Sequence, residues 1–262
     1  LNSSPIILLL LFSFLSVAAS AQQGSQAVVS QALMAGYYRA QGDFGLSLDT
    51  SIRYLPLSYE VDRGNWGFQF LTAALEVEGP GAVLINLGGV NQAVAGTDIS
   101  SERGPGDSIV SAIYHFDSYS PDAAFFDLRF DIKLPTASEE KGLGTGEFDF
   151  NLQLDVSQQW RQLLLFSSLG YSVRGRSDLF MGLRDGAYLQ LGAALNLGER
   201  LSGGVLYDYR ETTSDFTPES HDISPYLSWR LSDNWSVTSL LSRGYTEASP
   251  DWSFYASLRY SW

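Results

Sequence analysis

Cysteine is absent from the 262-residue chain, and histidine occurs only twice, as His115 and His221. That excludes disulfides, thiolate metal centres, cysteine nucleophiles and a histidine-rich metal site. Charge is scarce as well: 17% of residues are Asp, Glu, Lys or Arg, against roughly 25% in an ordinary soluble domain. The basic sign is the scarcer, with 16 Lys and Arg against 29 Asp and Glu and a formal net charge of −13. Nucleic acid is therefore not an expected partner, because phosphate binding depends on clustered Lys and Arg. Long apolar runs are missing beyond the N-terminal region, so no later segment reads as a membrane-crossing helix.

Residues 1–21 carry no charge at all. Ile6–Val17 is apolar apart from serines, and Ala19-Ser20-Ala21 follows with the small first and third residues that signal peptidase accepts. The composition predicts a secretory leader over residues 1–21, cleaved before Gln22. Its apolar run is too short to span a bilayer, which takes ~20 residues. Residues 22–44 do not alternate. They read as an N-terminal leader or as a plug helix over Ala27–Arg39, with Val29, Leu33 and Tyr37 on one stripe.

What the rest of the chain has in abundance is period-two alternation, the signal of strands buried on one face. Phe126, Leu128, Phe130, Ile132 and Leu134 alternate with Asp127, Arg129, Asp131 and Lys133. Phe148, Phe150, Leu152, Leu154 and Val156 alternate with Glu147, Asp149, Asn151, Gln153 and Asp155. Ala187–Leu197 and Trp252–Trp262 behave alike, and weaker versions lie at 46–59, 66–78, 82–90, 107–117, 162–173, 200–211, 222–231 and 234–245. The polar faces are often Ser, Gly, Asn, Gln or Tyr, which suits a crowded barrel interior better than the water-facing side of a sandwich. Tryptophans fall near strand ends, where an interface holds the ring among headgroups. The fold class predicted is all-β: a closed antiparallel transmembrane β-barrel of about 12 strands over residues 45–262.

Connection lengths support this reading. With Trp262 at the periplasmic rim, Thr246–Pro250 lies outside and Ser232-Asp233 is a tight inner turn. Thr212–His221, Gly175–Arg184, Pro135–Thr145 and Gly89–Gly106 are then long outer loops, Gly198-Glu199, Gln158–Arg161 and Gly79–Gly81 short inner ones, and Ser118–Ala123, of medium length, fits neither class cleanly. Both termini are expected to be periplasmic.

Several motifs are distinctive. Gly104-Pro105-Gly106-Asp107 opens a strand, Asp127-Leu128-Arg129 leads into Lys133-Leu134-Pro135-Thr136, and Lys141-Gly142-Leu143-Gly144-Thr145-Gly146-Glu147 follows. With Glu78-Gly79-Pro80-Gly81, Gly170-Tyr171 and Ser249-Pro250-Asp251, the chain resembles the family of the meta-pathway of phenol degradation over roughly Gly45–Trp262. Ala137 departs from the glycine common there. The resemblance implies an outer-membrane barrel that transports aromatic or other hydrophobic compounds, without catalytic residues or cofactor. The motif glycines read as turn chemistry, since Gly142, Gly144 and Gly146 permit positive φ where the chain returns.

Candidate solute-contacting residues are the polar ladder Asp127, Arg129, Asp131, Lys133, Glu147, Asp149 and Asp155. If the hairpin is symmetric about Glu140, Lys133 faces Glu147 and Asp131 faces Asp149. The ladder reads either as a charged constriction that selects solutes or as salt-bridged filler. No metal site and no cofactor are expected. The expected partners are outer-membrane lipid and lipopolysaccharide, the barrel assembly machinery and a small hydrophobic solute. A channel for small hydrophobic or aromatic compounds is the first reading. A structural or adhesive barrel, or a lipid-modifying enzyme pairing a serine with His115, is the alternative.

Overall fold

A computed structural model describes residues 29–44, 49–80, 83–86, 89–93, 99–118, 120, 123–178, 182–213 and 218–262. The expected leader over 1–21, and residues 22–28, lie outside the described residues. The strands are β1 Val29–Gly42, β2 Thr50–Arg63, β3 Trp66–Pro80, β4 Val83–Asn86, β5 Gly89–Ala93, β6 Ile99–Pro105, β7 Ser108–His115 and β8 Phe125–Leu134. They continue as β9 Asp149–Trp160, β10 Leu163–Val173, β11 Gly186–Asn196, β12 Leu201–Arg210, β13 Ser220–Arg230, β14 Trp235–Gly244 and β15 Trp252–Ser261.

Every wall strand pairs antiparallel with the next, and β1 pairs with β15 to close the ring of β1, β2, β3 and β7 to β15. Closure leaves no wall strand with a free edge, which is what a β-structure in lipid requires. The wall has twelve strands, as the alternation predicts, but their membership differs in two places.

The first difference is β1. Residues 29–42 form neither a plug helix nor a leader; they are a wall strand held on both sides, Leu33 to Tyr260 on β15 and to Tyr59 on β2. The barrel therefore begins before residue 45. The pattern misleads because Val29, Leu33 and Tyr37 lie four apart, so they share a strand face as well as a helix stripe. The lumen side (Ala32, Met34, Tyr38, Ala40) is also apolar or small, which hides the alternation. The second difference is 82–90. β4 and β5 form a separate two-stranded hairpin outside the wall. β3 continues through Gly79 to Pro80 and pairs there with β6, so these two residues belong to a strand rather than to the expected inner turn.

β6 and β7 share one partner. β6 pairs with Ala74–Pro80 of β3 and β7 with its Trp66–Leu71 end. One end of the barrel carries the start of β1 and the end of β15, with Gln31 and Trp262 exchanging backbone hydrogen bonds of 3.0 Å, together with the connections 64–65, 116–124, 161–162, 197–200 and 231–234. The other end carries 135–148, 174–185, 211–219 and the stretch containing β4 and β5.

The two faces are inverted relative to a soluble protein. Phe130 is 41% exposed on the outside, while its neighbours Arg129 and Asp131 are 1% and 2% exposed inside. Leu55, Leu57, Phe68, Leu128, Leu152, Leu169 and Leu227 also face outward. That outward apolar surface needs lipid to cover it. Tyr59, Trp262, Tyr260 and Trp235 form a chain of ring contacts at the end where β1 starts and β15 finishes.

Candidate functional site

The functional side chains can only lie in the lumen or in the loops above it. In the β8–β9 hairpin, Lys133 pairs with Asp149, Asp131 with Asn151, Arg129 with Gln153 and Asp127 with Asp155. This register is two residues away from the symmetric hairpin of the sequence reading. A shift of two keeps every side chain on its face, so the ladder still points inward, but the partners change.

Arg129 sits at the centre. Its Nε donates to Asp131 at 2.7 Å, and its Nη2 reaches Gln69 on β3 and Ser111 on β7, each at 2.7 Å. Asp131 also accepts from Asn151, which donates to the Tyr188 hydroxyl at 3.0 Å. Tyr188 donates to Gln153, Gln153 donates to Asp155, and Ser168 donates to Asp155. The facing carboxylates Asp127 and Asp155 are thus each engaged elsewhere, Asp127 by His115 Nδ1 at 2.8 Å. A neighbouring cluster joins Arg210 to Asp208 through two bonds, places Gln190 on the same carboxylate, and stacks Arg210 over the Tyr188 ring at 5.2 Å. Buried polar groups on this scale persist because they are bonded to one another.

Lys133 has a separate task. Its Nζ lies 2.9 Å from Asp107 and 3.0 Å from Asp149, and it donates to Thr145 at 2.8 Å. The last contact fixes the 135–148 loop, which folds inward over the lumen. Leu143 is 1% exposed within the loop and belongs to the buried apolar cluster of the barrel. The loop takes positive φ at Gly142 and Gly146. Gly144 answers a different need: a Cβ there would stand 2.7 Å from Ala137 Cβ and 2.9 Å from Asp107 Oδ1. Asp107 also accepts from the Ala137 backbone at 3.0 Å. The motifs Gly104–Asp107, Lys133–Thr136 and Lys141–Gly146 therefore build one inward loop and its anchor.

Six of the seven candidate residues are brought together in the lumen. Glu147 is not: it is half-buried just before β9, and the longer loop gives its expected place opposite Lys133 to Asp149. Asp107, Gln69 and Ser111 are ladder members that the strand-by-strand reading missed, because they come from segments distant in sequence: the β6–β7 connection, β3 and β7. Just past β10, Arg174 is buried among Asp149, Arg210 and Asp185, and burial pushes its guanidinium down to about 10 against the pull of Asp149. Among the described residues neither histidine ring is paired with a serine. His115 faces Asp127 and, at 3.5 Å, Asp62, and His221 Nδ1 meets the Tyr207 hydroxyl at 2.7 Å. Among the described residues no group of His, Asp and Glu is placed to hold a metal ion.

The opposite wall of the lumen is apolar. Met34 and Tyr38 on β1, Ile52 and Tyr54 on β2, and Leu71, Leu75 and Val77 on β3 are buried in one cluster with Tyr255, Leu240 and Leu143. The lumen is thus two-sided in emphasis: apolar residues concentrate on β1, β2 and β3, with Phe166 on β10, Ala194 on β11 and Leu206 on β12 in the same cluster, while bonded polar residues concentrate on β7 to β12, with Ser58 and Glu60 on β2 and Gln69 on β3 beside them. The sequence reading did not separate these walls, since Ile52 and Tyr54 alternate with residues as apolar as Leu55 and Leu57.

The fold is shared with bacterial channels. An outer-membrane channel from Pseudomonas putida F1 superposes with a TM-score of 0.64 at 13% identity, over 92% of this chain and 97% of that one. The NanC porin gives 0.56 at 6% identity, over 88% and 98% of the two chains, and the KdgM porin 0.54 at 11%, over 87% and 99%. These similar structures are channels and porins, and at such identities the likeness is one of fold. No curated protein matches the chain by sequence. A family model matches residues 18–262, nearly the whole chain, and the chain belongs to that family, described as the MetA-pathway of phenol degradation.

Proposed function

We propose that the protein is an outer-membrane channel for small hydrophobic or aromatic compounds, with the apolar wall of the lumen as the surface they meet. The observation that carries this reading is the two-sided lumen. A pore for hydrophilic solutes is polar on its inner surface. Here Met34, Ile52, Leu71, Leu75 and Val77 face inward, beside the buried rings of Tyr38, Tyr54 and Tyr255, which offer an aromatic solute ring contacts. The family to which the chain belongs, described by phenol degradation, supports the same solute class.

The polar ladder is read as the fixed wall against which this surface is held, because its members bond to one another. The end with the longer connections is read as facing the exterior, leaving both termini periplasmic, since barrels of this kind carry longer loops outside. A catalytic role is not proposed: His115 is engaged by carboxylates and His221 by a phenol.

Uptake by cells whose outer membrane contains lipopolysaccharide tests the proposal, because such a membrane slows hydrophobic solutes on its own. Cells expressing the protein should take up a ring-labelled monoaromatic hydrocarbon several-fold faster than cells without it. Labelled glucose should enter both at one rate. Faster glucose with unchanged hydrocarbon would make this a hydrophilic porin, and no change in either would make it a structural barrel.

A further inference from the structure

The outer face of the barrel carries a row of charges that transport does not use. Arg39 on β1 is directly opposite Arg53 on β2, Arg53 is opposite Glu76 on β3, and Glu76 is opposite Arg103 on β6. These side chains face outward, because their neighbours Ala40, Ile52, Tyr54, Leu75 and Val77 face the lumen. Arg53 donates to Glu76 at 3.0 Å. Arg39 lies over the Trp252 ring at 5.7 Å, and its Nε has no hydrogen-bond partner. Arg243 adds a fourth outward arginine, two residues beyond Leu241, whose partner Phe254 is also the partner of Arg39.

The row lies where the apolar band ends. Toward the termini the same faces carry Leu33 and Tyr37, Leu55 and Leu57, and Phe68 and Phe70. Toward the longer loops they carry Gln41, Ser51 and Glu78. Four arginines against Glu76, Glu78 and Asp49, whose carboxylate accepts from Gln41 at 2.9 Å, leave an excess of positive charge here on a chain of net charge −13. Two like charges directly opposite on neighbouring strands are destabilising on their own. Beside a lipid surface, little water is at hand to screen them. An anion seated between them removes the conflict, and guanidinium groups bind phosphate through paired hydrogen bonds.

We propose that this row binds the headgroup of lipid A, a disaccharide with a phosphate at each end. The spacing favours two phosphates over one. Arg39 and Arg103 are three strand intervals apart, or roughly 14 Å at ~4.8 Å per interval, and Glu76 separates Arg53 from Arg103. A single phosphodiester engages one end of such a row. The acyl chains lie along the Leu55 and Leu57 surface, and Trp252 packs beside the sugar. The site rests on the reading that the longer loops face outward, where lipid A resides.

Native mass spectrometry of the folded barrel in a neutral detergent tests the site without reference to orientation. The probes are bis-phosphorylated lipid A, its monophosphoryl form and phosphatidylglycerol. Lipid A should bind roughly tenfold more tightly than either of the others, the scale of one charge-assisted contact. Arg39→Gln with Arg103→Gln should remove that preference. Both side chains face outward, and the boiling-dependent gel shift confirms folding of the variant. Equal binding of the three lipids by the unaltered barrel would overturn the proposal, as would an undiminished preference in the double variant. Labelling a cysteine placed at Glu140, exposed in the 135–148 loop, from outside intact cells tests orientation separately, so failure of that reading is distinguishable from failure of the site.

Discussion

Arg129 and Lys133 are both inaccessible to solvent, yet they do different work. Arg129 ties three strands into the ladder, while Lys133 couples the wall to the 135–148 loop. Replacing Lys133 with methionine leaves Asp107 and Asp149 buried beside an apolar chain. Breaking a buried ion pair in this way costs roughly 3–5 kcal/mol. Urea unfolding in detergent should show Lys133→Met with a clearly lower midpoint, and an unchanged midpoint would remove the loop anchor from the account. On the opposite face, Leu128 is outward and exposed. Leu128→Arg puts a charge against the hydrocarbon, at a cost of roughly 2–4 kcal/mol near the bilayer centre. The yield of folded protein in membranes should fall sharply. Normal yield would contradict the lipid-facing assignment. The sequence already divided these residues correctly between the two faces, since alternation fixes the face. It did not fix the partner opposite, because loop length sets register, and the inward fold at Gly142–Gly146 takes up residues that a symmetric hairpin would have paired.

At the scale of elements, β1 is the lesson in what alternation conceals. Its lumen face packs on the apolar wall and its outer face on lipid, so neither face is polar enough to mark it. A strand apolar on both sides is hard to tell from a helix by periodicity. Its identity becomes plain only from the edges of β2 and β15 that it covers. Ala35 pairs with Leu258 and Leu57, so Ala35→Pro removes a ladder donor beside the gap that Pro56 already leaves in the β1–β2 pairing, which puts two interruptions in consecutive positions of a wall strand. The variant should lose the compact, boiling-sensitive gel band. A variant that kept it would return residues 29–42 to the status of a leader. The inward loop behaves differently, because it seals rather than supports. Leu143→Ala should leave the compact band in place and raise hydrocarbon uptake, as a buried apolar side chain is withdrawn from the lumen. Slower uptake would mean that Leu143 is part of the path.

For the whole molecule, closure and inversion were legible in advance: twelve strands, long connections at one end, polar residues inside and apolar ones outside. The two-sided lumen was not, because it depends on which strands become neighbours across the barrel. That division is the centre of the functional account, and chemical labelling tests it most directly. A small aryl diazirine is photolysed with the folded barrel in lipid, and the modified residues are mapped by peptide mass spectrometry. The account predicts adducts on Tyr38, Tyr54 and Leu75 that disappear when excess unreactive monoaromatic hydrocarbon is added, beside outward adducts that do not. Labelling confined to outward residues such as Leu55 and Phe130, with the apolar wall untouched, would contradict it.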